Sequence, residues 1–207
     1  MSIKNFVETL KNQDVSSSSY NQFKNSIIEN NIKKYLTEMK GLNPKILCIG
    51  EAAGYNGCRL TGIAFTSEYI MMRENHCIFG RSKGYNTIHD NDKLQKEISA
   101  TIVWDLLNTN QTYPLLWNAY PFHPFKNGNP NSNRTPNATE IQQGKLYIER
   151  LFDEFNNISC VIAIGKKAEK SLRDMNLGID TKTVRHPSNG GKNDFVSGMQ
   201  NILTQIQ

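Results

Sequence analysis

The sequence Ile46-Leu47-Cys48-Ile49-Gly50-Glu51-Ala52-Ala53-Gly54 places a glycine-bounded loop directly after a short apolar run. An apolar run of this length is typical of a buried strand in a parallel sheet. In open α/β sheets, ligands bind in the crevice at the carboxyl ends of such strands. The stretch therefore predicts both a parallel sheet and a ligand site at one edge of it.

Two further segments have the same character. The run Leu115-Leu116-Trp117-Asn118 ends in an amide, and Thr181–Val184 leads into His186-Pro187-Ser188-Asn189-Gly190-Gly191. Because the carboxyl ends of parallel strands meet at one edge, we expect these polar groups to lie together. Backbone N–H groups, an amide and an imidazole suit a small, planar, polar ligand.

Strand patterns alternate with helical ones along the chain, which predicts an α/β fold with a central parallel sheet and helices on both faces. Apolar residues at helical spacing predict helices within residues 1–40, over 98–107, after a capping box at Asn137, over 166–175 and at the end of the chain. The run Ser16–Ser19 is expected to cap the second helix. We expect one domain over 1–207, with a helical cover at 1–41 and the core at 45–207.

Composition narrows the functional classes. A net charge of +5 and a pI near 9.0 are compatible with a polyanionic partner. With a mean hydropathy of -0.54 and no long apolar stretch, no transmembrane helix is expected. The start of the chain lacks the apolar segment of a signal peptide, which predicts a cytoplasmic protein. Its four cysteines show no metal-ligand spacing, so we expect no metal site.

The motifs, taken in order, resemble those of the uracil-DNA glycosylase superfamily. They are Gly50–Gly54, Leu60–Glu68, Asn118 and His186-Pro187-Ser188. The resemblance covers roughly 45–200 and is greatest to a bacterial and archaeal branch whose first motif is Gly-Glu-Ala-Pro-Gly; residues 133–168 also fit that branch. It implies a three-layer sandwich of helices around the sheet. It also implies that the protein flips uracil out of DNA and hydrolyses its N-glycosidic bond, leaving an abasic site.

The resemblance implies no metal and no organic cofactor. The same branch often holds an iron–sulfur cluster through four cysteines that include a close N-terminal pair. No such pair precedes Cys48, so we expect no cluster.

Three side chains acquire roles from the resemblance. His186 would donate a hydrogen bond to uracil O2 as negative charge develops on the leaving base. Asn118 would recognise O4 and N3–H together, and Phe65 would stack on the extruded base. Each also has a purely structural alternative. His186 could bond only to the backbone, Asn118 could cap a turn, and Phe65 could simply pack in the core.

The first loop departs from the better-known patterns. Ala52 stands where many members have an Asp or Asn that orients the attacking water, and Gly50 and Ala52 are expected to line the base site. Glu51 is the nearest carboxylate; it could position water as a catalytic residue or hold the loop through backbone N–H groups. Gly54 stands where some members have a Tyr that excludes the thymine methyl group, so the basis for rejecting thymine stays open.

The loop after His186 is expected to contact the DNA backbone. Its candidate residues are Ser188, Asn189, Gly190, Gly191 and Lys192. Because glycines cannot wedge a duplex apart, Tyr55 is a candidate to fill the gap. Arg185 and Lys192 could instead be solvated surface charges. The partner predicted is uracil-containing DNA, with no membrane, and the protein is expected to be a monomer.

Other functions stay open from the sequence. The departures at Ala52 and Gly54 allow excision of other deaminated bases such as hypoxanthine or xanthine. A DNA-damage-binding module with weak catalysis is a second alternative. A nucleotide-binding protein ranks last, because the chain lacks G-x-G-x-x-G and the P-loop lysine.

Overall fold

A computed structural model of the chain describes residues 2–89, 93–178 and 181–206. Its centre is a four-stranded parallel sheet. The strands are β2 (Ile46–Ala52), β3 (Leu115–Tyr120), β5 (Cys160–Ile164) and β6 (Thr181–Val184), in the spatial order β3-β2-β5-β6. A small antiparallel pair joins β1 (Ser19–Tyr20) to β4 (His123–Pro124).

The described residues form eight α-helices. They are α1 (Ile3–Asn12), α2 (Ser26–Leu42), α3 (Cys58–Thr61), α4 (Glu68–Met71), α5 (Ile98–Asn110), α6 (Ala138–Glu154), α7 (Lys166–Met175) and α8 (Lys192–Ile206). Short 3-10 turns occupy Gln22–Lys24 and Arg81–Lys83. Among these residues no helix is both long and apolar enough to cross a bilayer.

Helices flank the sheet, which confirms the predicted fold class. On one face Phe6 of α1 packs against Trp117 of β3, with ring centroids 5.6 Å apart. Helix α7 lies against β2 and β5, and α8 against β6. At the free edge of β3, the backbone N–H of Leu116 donates to the Tyr35 hydroxyl of α2 at 2.8 Å. This bond satisfies an edge donor that would otherwise be buried without a partner.

Helix α6 lies very close to β3. A Cβ atom on Gly144 would stand 1.8 Å from the carbonyl oxygen of Ala119, so only glycine permits this approach. The capping box predicted at the start of α6 is confirmed: the Asn137 side chain accepts from the Glu140 N–H, and the Glu140 side chain accepts from the Asn137 N–H.

The prediction that the serine run caps the second helix is wrong. Asn25 caps α2, because its Oδ1 directly precedes the helix and accepts the N–H groups of Ile27 and Ile28. The serine hydroxyls bond elsewhere: Ser16 and Ser19 both donate to the Glu140 carboxylate, at 2.9 and 2.7 Å. The serine run therefore ties the N-terminal segment to the start of α6.

The strand order positions the site. β2 lies inside the sheet, with β3 on one side and β5 and β6 on the other. After β2 the chain continues to β3 on one side, and it later crosses to β5 and β6 on the other side, so the strand order reverses at β2. Such a switch point is where open α/β sheets form their ligand crevice.

Candidate active site

A cleft of about 660 Å³ opens at the carboxyl ends of the parallel strands. Its wall includes the first loop, from Glu51 to Asn56, together with the starts of α5 and α7. Phe65, Asn118 and His186 all line it, so the structure brings together the three side chains that the resemblance assigned to base recognition and leaving-group stabilisation.

Gly50 makes room for the base-recognising pair. It is paired with Asn118 across β2 and β3. A Cβ atom at this position would stand 2.6 Å from Oδ1 of Asn118 and 2.7 Å from Cζ of Phe65. Any larger residue would displace the amide or the ring, so this glycine acts by leaving space rather than by contributing a group.

The Asn118 amide is held by an unexpected partner. Its Nδ2 donates to the Cys58 thiol sulfur at 3.5 Å, and both residues are buried. Burial raises the pKa of the Cys58 thiol, so the sulfur stays protonated and acts as a weak acceptor. One amide hydrogen is therefore anchored, and the other N–H and Oδ1 can form a donor–acceptor pair.

Phe65 has a strained backbone. Its φ is +51°, in the left-handed region that bulky residues rarely adopt. Such a conformation costs about 1–3 kcal/mol and tends to occur at functional sites. The ring lies over Gly50 beside Asn118 and is 8% exposed. It can therefore offer a π-face to the cleft without leaving the core.

The tautomer of His186 follows from its neighbour. The backbone N–H of Ser188 donates to Nδ1 at 3.2 Å, and the Ser188 hydroxyl lies 2.8 Å from the same atom. Nδ1 is thus the acceptor, and the proton of the neutral ring is on Nε2. Burial, and then the charges of Arg185 and Lys167, lower the pKa of His186. The imidazole is therefore a neutral Nε2–H donor at neutral pH.

Glu51 lies against helix α7. Its Oε2 is 3.4 Å from the ammonium group of Lys167, whereas Oε1 is buried and has no hydrogen-bond partner among the described residues. Lys167 also donates to the Thr135 hydroxyl at 2.9 Å. Glu51 thus lines the cleft as half of an ion pair, with one oxygen still able to accept a hydrogen bond.

The first loop is held by a histidine. His123 is fully buried, with Nδ1 2.7 Å from the Ala53 carbonyl oxygen and Nε2 2.8 Å from that of Pro130. These contacts fix the backbone at the position where the resembling branch has proline. Ala52 lines the cleft beside it, and its methyl side chain offers no hydrogen-bonding group.

Glu97 was not predicted from the sequence. It precedes the first residue of α5 and lines the cleft, yet its side chain forms no cap for that helix. Oε1 accepts from the Ser99 hydroxyl at 2.7 Å, and Oε2 occupies the space above Gly57, where a Cβ atom would be 1.8 Å away. Burial raises the pKa of this carboxyl group. A carboxylate beside a helix start is too common a pattern to have indicated a site.

The residues predicted to contact DNA divide into two groups. Tyr55, Ser188 and Asn189 line the cleft, whereas Gly190, Gly191 and Lys192 lie outside it. Gly191 is buried and its N–H donates to the Ser188 carbonyl at 3.0 Å, so it shapes the loop instead of offering a free donor. Lys192 is exposed and is the first residue of α8. Basic side chains also line the cleft, namely Lys96, Arg134, Lys166, Lys167 and Arg185.

Within residues 2–89, 93–178 and 181–206, no group of three or more His, Cys, Asp or Glu residues has the proximity to hold a metal ion. The cysteines are all free thiols.

Comparison with known proteins identifies the family to which the chain belongs. A family model described as the uracil DNA glycosylase superfamily matches residues 38–202. The crystal structure of wild-type SMUG2 from Pedobacter heparinus is similar, with a TM-score of 0.66 over 99% of this chain and 97% of that chain, at 14% sequence identity. No curated protein matches the chain significantly. The structural likeness shows the fold, and the family match spans most of the sequence: the chain belongs to the uracil DNA glycosylase superfamily.

Proposed function

We propose that this protein excises uracil from DNA by hydrolysing its N-glycosidic bond. Membership of the superfamily supports a DNA glycosylase in general. The observation that supports uracil is the convergence, in one cleft, of the Asn118 amide, the Phe65 ring and the neutral His186 imidazole. An amide complements the adjacent N3–H donor and O4 acceptor of uracil, and the ring can stack on any pyrimidine face.

The reaction breaks the bond between C1′ of the sugar and N1 of the base. Water supplies the hydroxyl group at C1′ and releases its remaining proton to solvent, and the base departs as an anion whose charge is delocalised onto O2. The Nε2–H of His186 donates to O2, and this hydrogen bond strengthens as the charge develops. Because burial keeps the ring neutral, the donor is present without first binding a proton.

The attacking water needs an acceptor, which Ala52 cannot provide. We propose that Glu51 accepts a hydrogen bond from this water, while Lys167 balances the charge of its carboxylate at Oε2. Glu97 is a second carboxylate that lines the same cleft. The two carboxylates differ in environment, because Glu51 is paired with the Lys167 ammonium group, whereas Glu97 accepts from the Ser99 hydroxyl. Replacing each carboxylate in turn therefore shows which of the two orients the attacking water.

The DNA backbone would lie across the basic rim. Tyr55, Ser188 and Asn189 are at the cleft itself, and Lys192 reaches phosphates beside it. Our proposal includes a monomeric, cytoplasmic enzyme that needs no metal or organic cofactor.

The proposal is tested by incubating the protein with duplexes that contain one uracil, hypoxanthine or xanthine and measuring abasic sites. We expect uracil to be the preferred base. His186→Ala should lower the excision rate by about 10²–10³, the range for loss of one transition-state donor, with little change in DNA affinity. No abasic sites from any of the three bases, either in these duplexes or in single strands of the same sequence, would refute a catalytic function and favour a damage-binding module. Preference for a purine would refute uracil specificity.

A further inference from the structure

Ile98 is an apolar residue in an unusual place. It is the first residue of α5 and lines the cleft, yet its side chain is 77% exposed. Among the large apolar side chains of the described residues it is the most exposed, the next being Leu146 at 54%. Leaving an isoleucine in water has a free-energy cost that burial against a partner would recover.

The surroundings of Ile98 suit a polyanion. Lys96 precedes it closely in sequence, and Lys166, Lys167 and Arg185 line the same cleft. An exposed aliphatic group within a basic rim is the combination that DNA-distorting proteins use, because lysines hold the phosphates while the apolar group enters the base stack.

The helix behind Ile98 is firmly anchored. Trp104 of α5 is fully buried, and its indole N–H donates to the Thr66 hydroxyl at 3.0 Å. A side chain that must keep bases apart needs such rigid support, since a mobile loop would yield instead.

Other candidates for this task are less suitable. The loop from Ser188 to Lys192 contains no large apolar side chain. Tyr55 is half-buried, and its backbone N–H is bonded to Oδ1 of Asn133 at 3.0 Å. Ile98 is the more exposed of the two candidates.

We propose that Ile98 enters duplex DNA and fills the space that the flipped nucleotide vacates. The inference rests on the proposed function, because only an enzyme that extrudes a base leaves such a gap. Ile98 is a positioning residue in this role: it contacts the neighbouring bases of the duplex and stabilises the extruded state without touching the reacting atoms.

The test compares excision of uracil from duplex and from single-stranded DNA of the same sequence. A single strand has no partner strand and no gap to fill, so the ratio of the two rates isolates the role of Ile98. We expect Ile98→Ala to lower the ratio of duplex to single-strand rate by about 10- to 100-fold, as follows from the burial free energy of an isoleucine side chain. Ile98→Leu should restore most of the ratio. Leu146→Ala, which truncates an exposed apolar residue outside the cleft, should leave the ratio unchanged.

Several results would overturn the inference. An unchanged ratio in Ile98→Ala would refute it while leaving the proposed function intact, as would an equal fall in both rates. A fall in the ratio for Tyr55→Ala but not for Ile98→Ala would assign the gap to Tyr55. A wild-type protein that acts only on single strands would leave no gap to fill. A wild-type protein that excises from neither substrate would refute the proposed function and this inference together.

Discussion

The imidazole ring of His186 lies 6.1 Å from the ring of Phe65, centroid to centroid, with 40° between their planes. Phe65 reaches the cleft from the loop between α3 and α4, and His186 reaches it from the loop after β6. Gly165, directly after β5, makes room for His186, because a Cβ atom at this position would stand 2.9 Å from Cβ of His186. A stacking surface and a neutral hydrogen-bond donor therefore share one cleft, and variants of its residues can separate recognition, catalysis and DNA binding.

Asn118→Asp tests recognition of the base. The substitution removes the Nδ2 donor and places an acceptor opposite uracil O4, which is itself an acceptor. Cytosine has an amino donor at this position, which Asp could accept from. We expect uracil excision to fall at least about 100-fold, because a site that mispairs buried polar groups rejects its ligand strongly. Weak cytosine excision is expected to appear in the same duplex assay.

The control for this variant is Asn156→Asp, which makes the same change at an exposed residue outside the cleft. It should behave as the wild type. Full uracil activity in Asn118→Asp would show that Asn118 does not recognise the base.

The two carboxylates in the cleft are distinguished by Glu51→Gln and Glu97→Gln. If Glu51 orients the water, its variant should lose about 10²-fold or more in rate, within the range for general acid–base catalysis. Glu97→Gln should then retain most of the activity, as should Glu149→Gln on the exposed face of α6.

The reverse result would transfer the role to Glu97 and would have a signature in the pH profile. Because burial raises the pKa of Glu97, a rate that depends on its ionised form would increase with pH above the usual range of a glutamate. Glu97→Gln would abolish that increase. Rate measurements between pH 4 and 8 separate the two assignments.

Lys192 is expected to contact phosphate. Lys192→Ala should weaken binding to undamaged duplex and reduce the slope of log affinity against log salt concentration by about one unit. Lys33→Ala removes the same charge at an exposed position on α2 outside the cleft, and should leave the slope unchanged. Salt titrations of binding to a labelled duplex measure both. Equal slopes in the two variants would exclude Lys192 from the phosphate contacts.

Acid should destabilise the fold partly through His76. Burial, and then the charges of Lys83 and Arg73, lower its pKa from 6.5 to about 4, and its Nδ1 accepts the N–H groups of Ile78 and Phe79. The unfolded chain binds a proton near pH 6.5 and the folded chain does not, so stability falls as pH decreases from 6.5 toward 4. Between pH 7 and 5 we expect His76 to contribute about 1–2 kcal/mol of this loss.

Urea denaturation of the wild type and of His76→Asn at both pH values measures the contribution. The variant keeps an acceptor but does not titrate, so it should lose less stability on acidification. Burial also lowers the pKa values of His123 and His186, which leaves part of the dependence in place. Identical losses in both proteins would show that His76 does not couple folding to pH.

The sequence by itself determined the order of the four strands of the central sheet and of the longer helices. Apolar runs such as Leu115–Trp117 predict strands because burial on both faces requires them, and the capping box at Asn137 marks the start of α6 because its bonds join near neighbours in the chain. The ordered motifs also indicated Phe65, Asn118 and His186, and the parallel sheet then required the strand ends at Asn118 and before His186 to converge. Each of these predictions depends on local spacing or on one rule of sheet topology.

Only the tertiary structure decided which groups meet across the cleft. Asn118 bonds to Cys58, and Glu51 pairs with Lys167, although each pair is distant in the chain. Glu97 and Ile98 likewise reach a cleft whose other walls come from distant segments. The serine run was misassigned for the same reason, since its partner Glu140 lies in a helix more than 100 residues away. Partners of this kind are selected by packing among many elements at once, and no local pattern in the sequence encodes that selection.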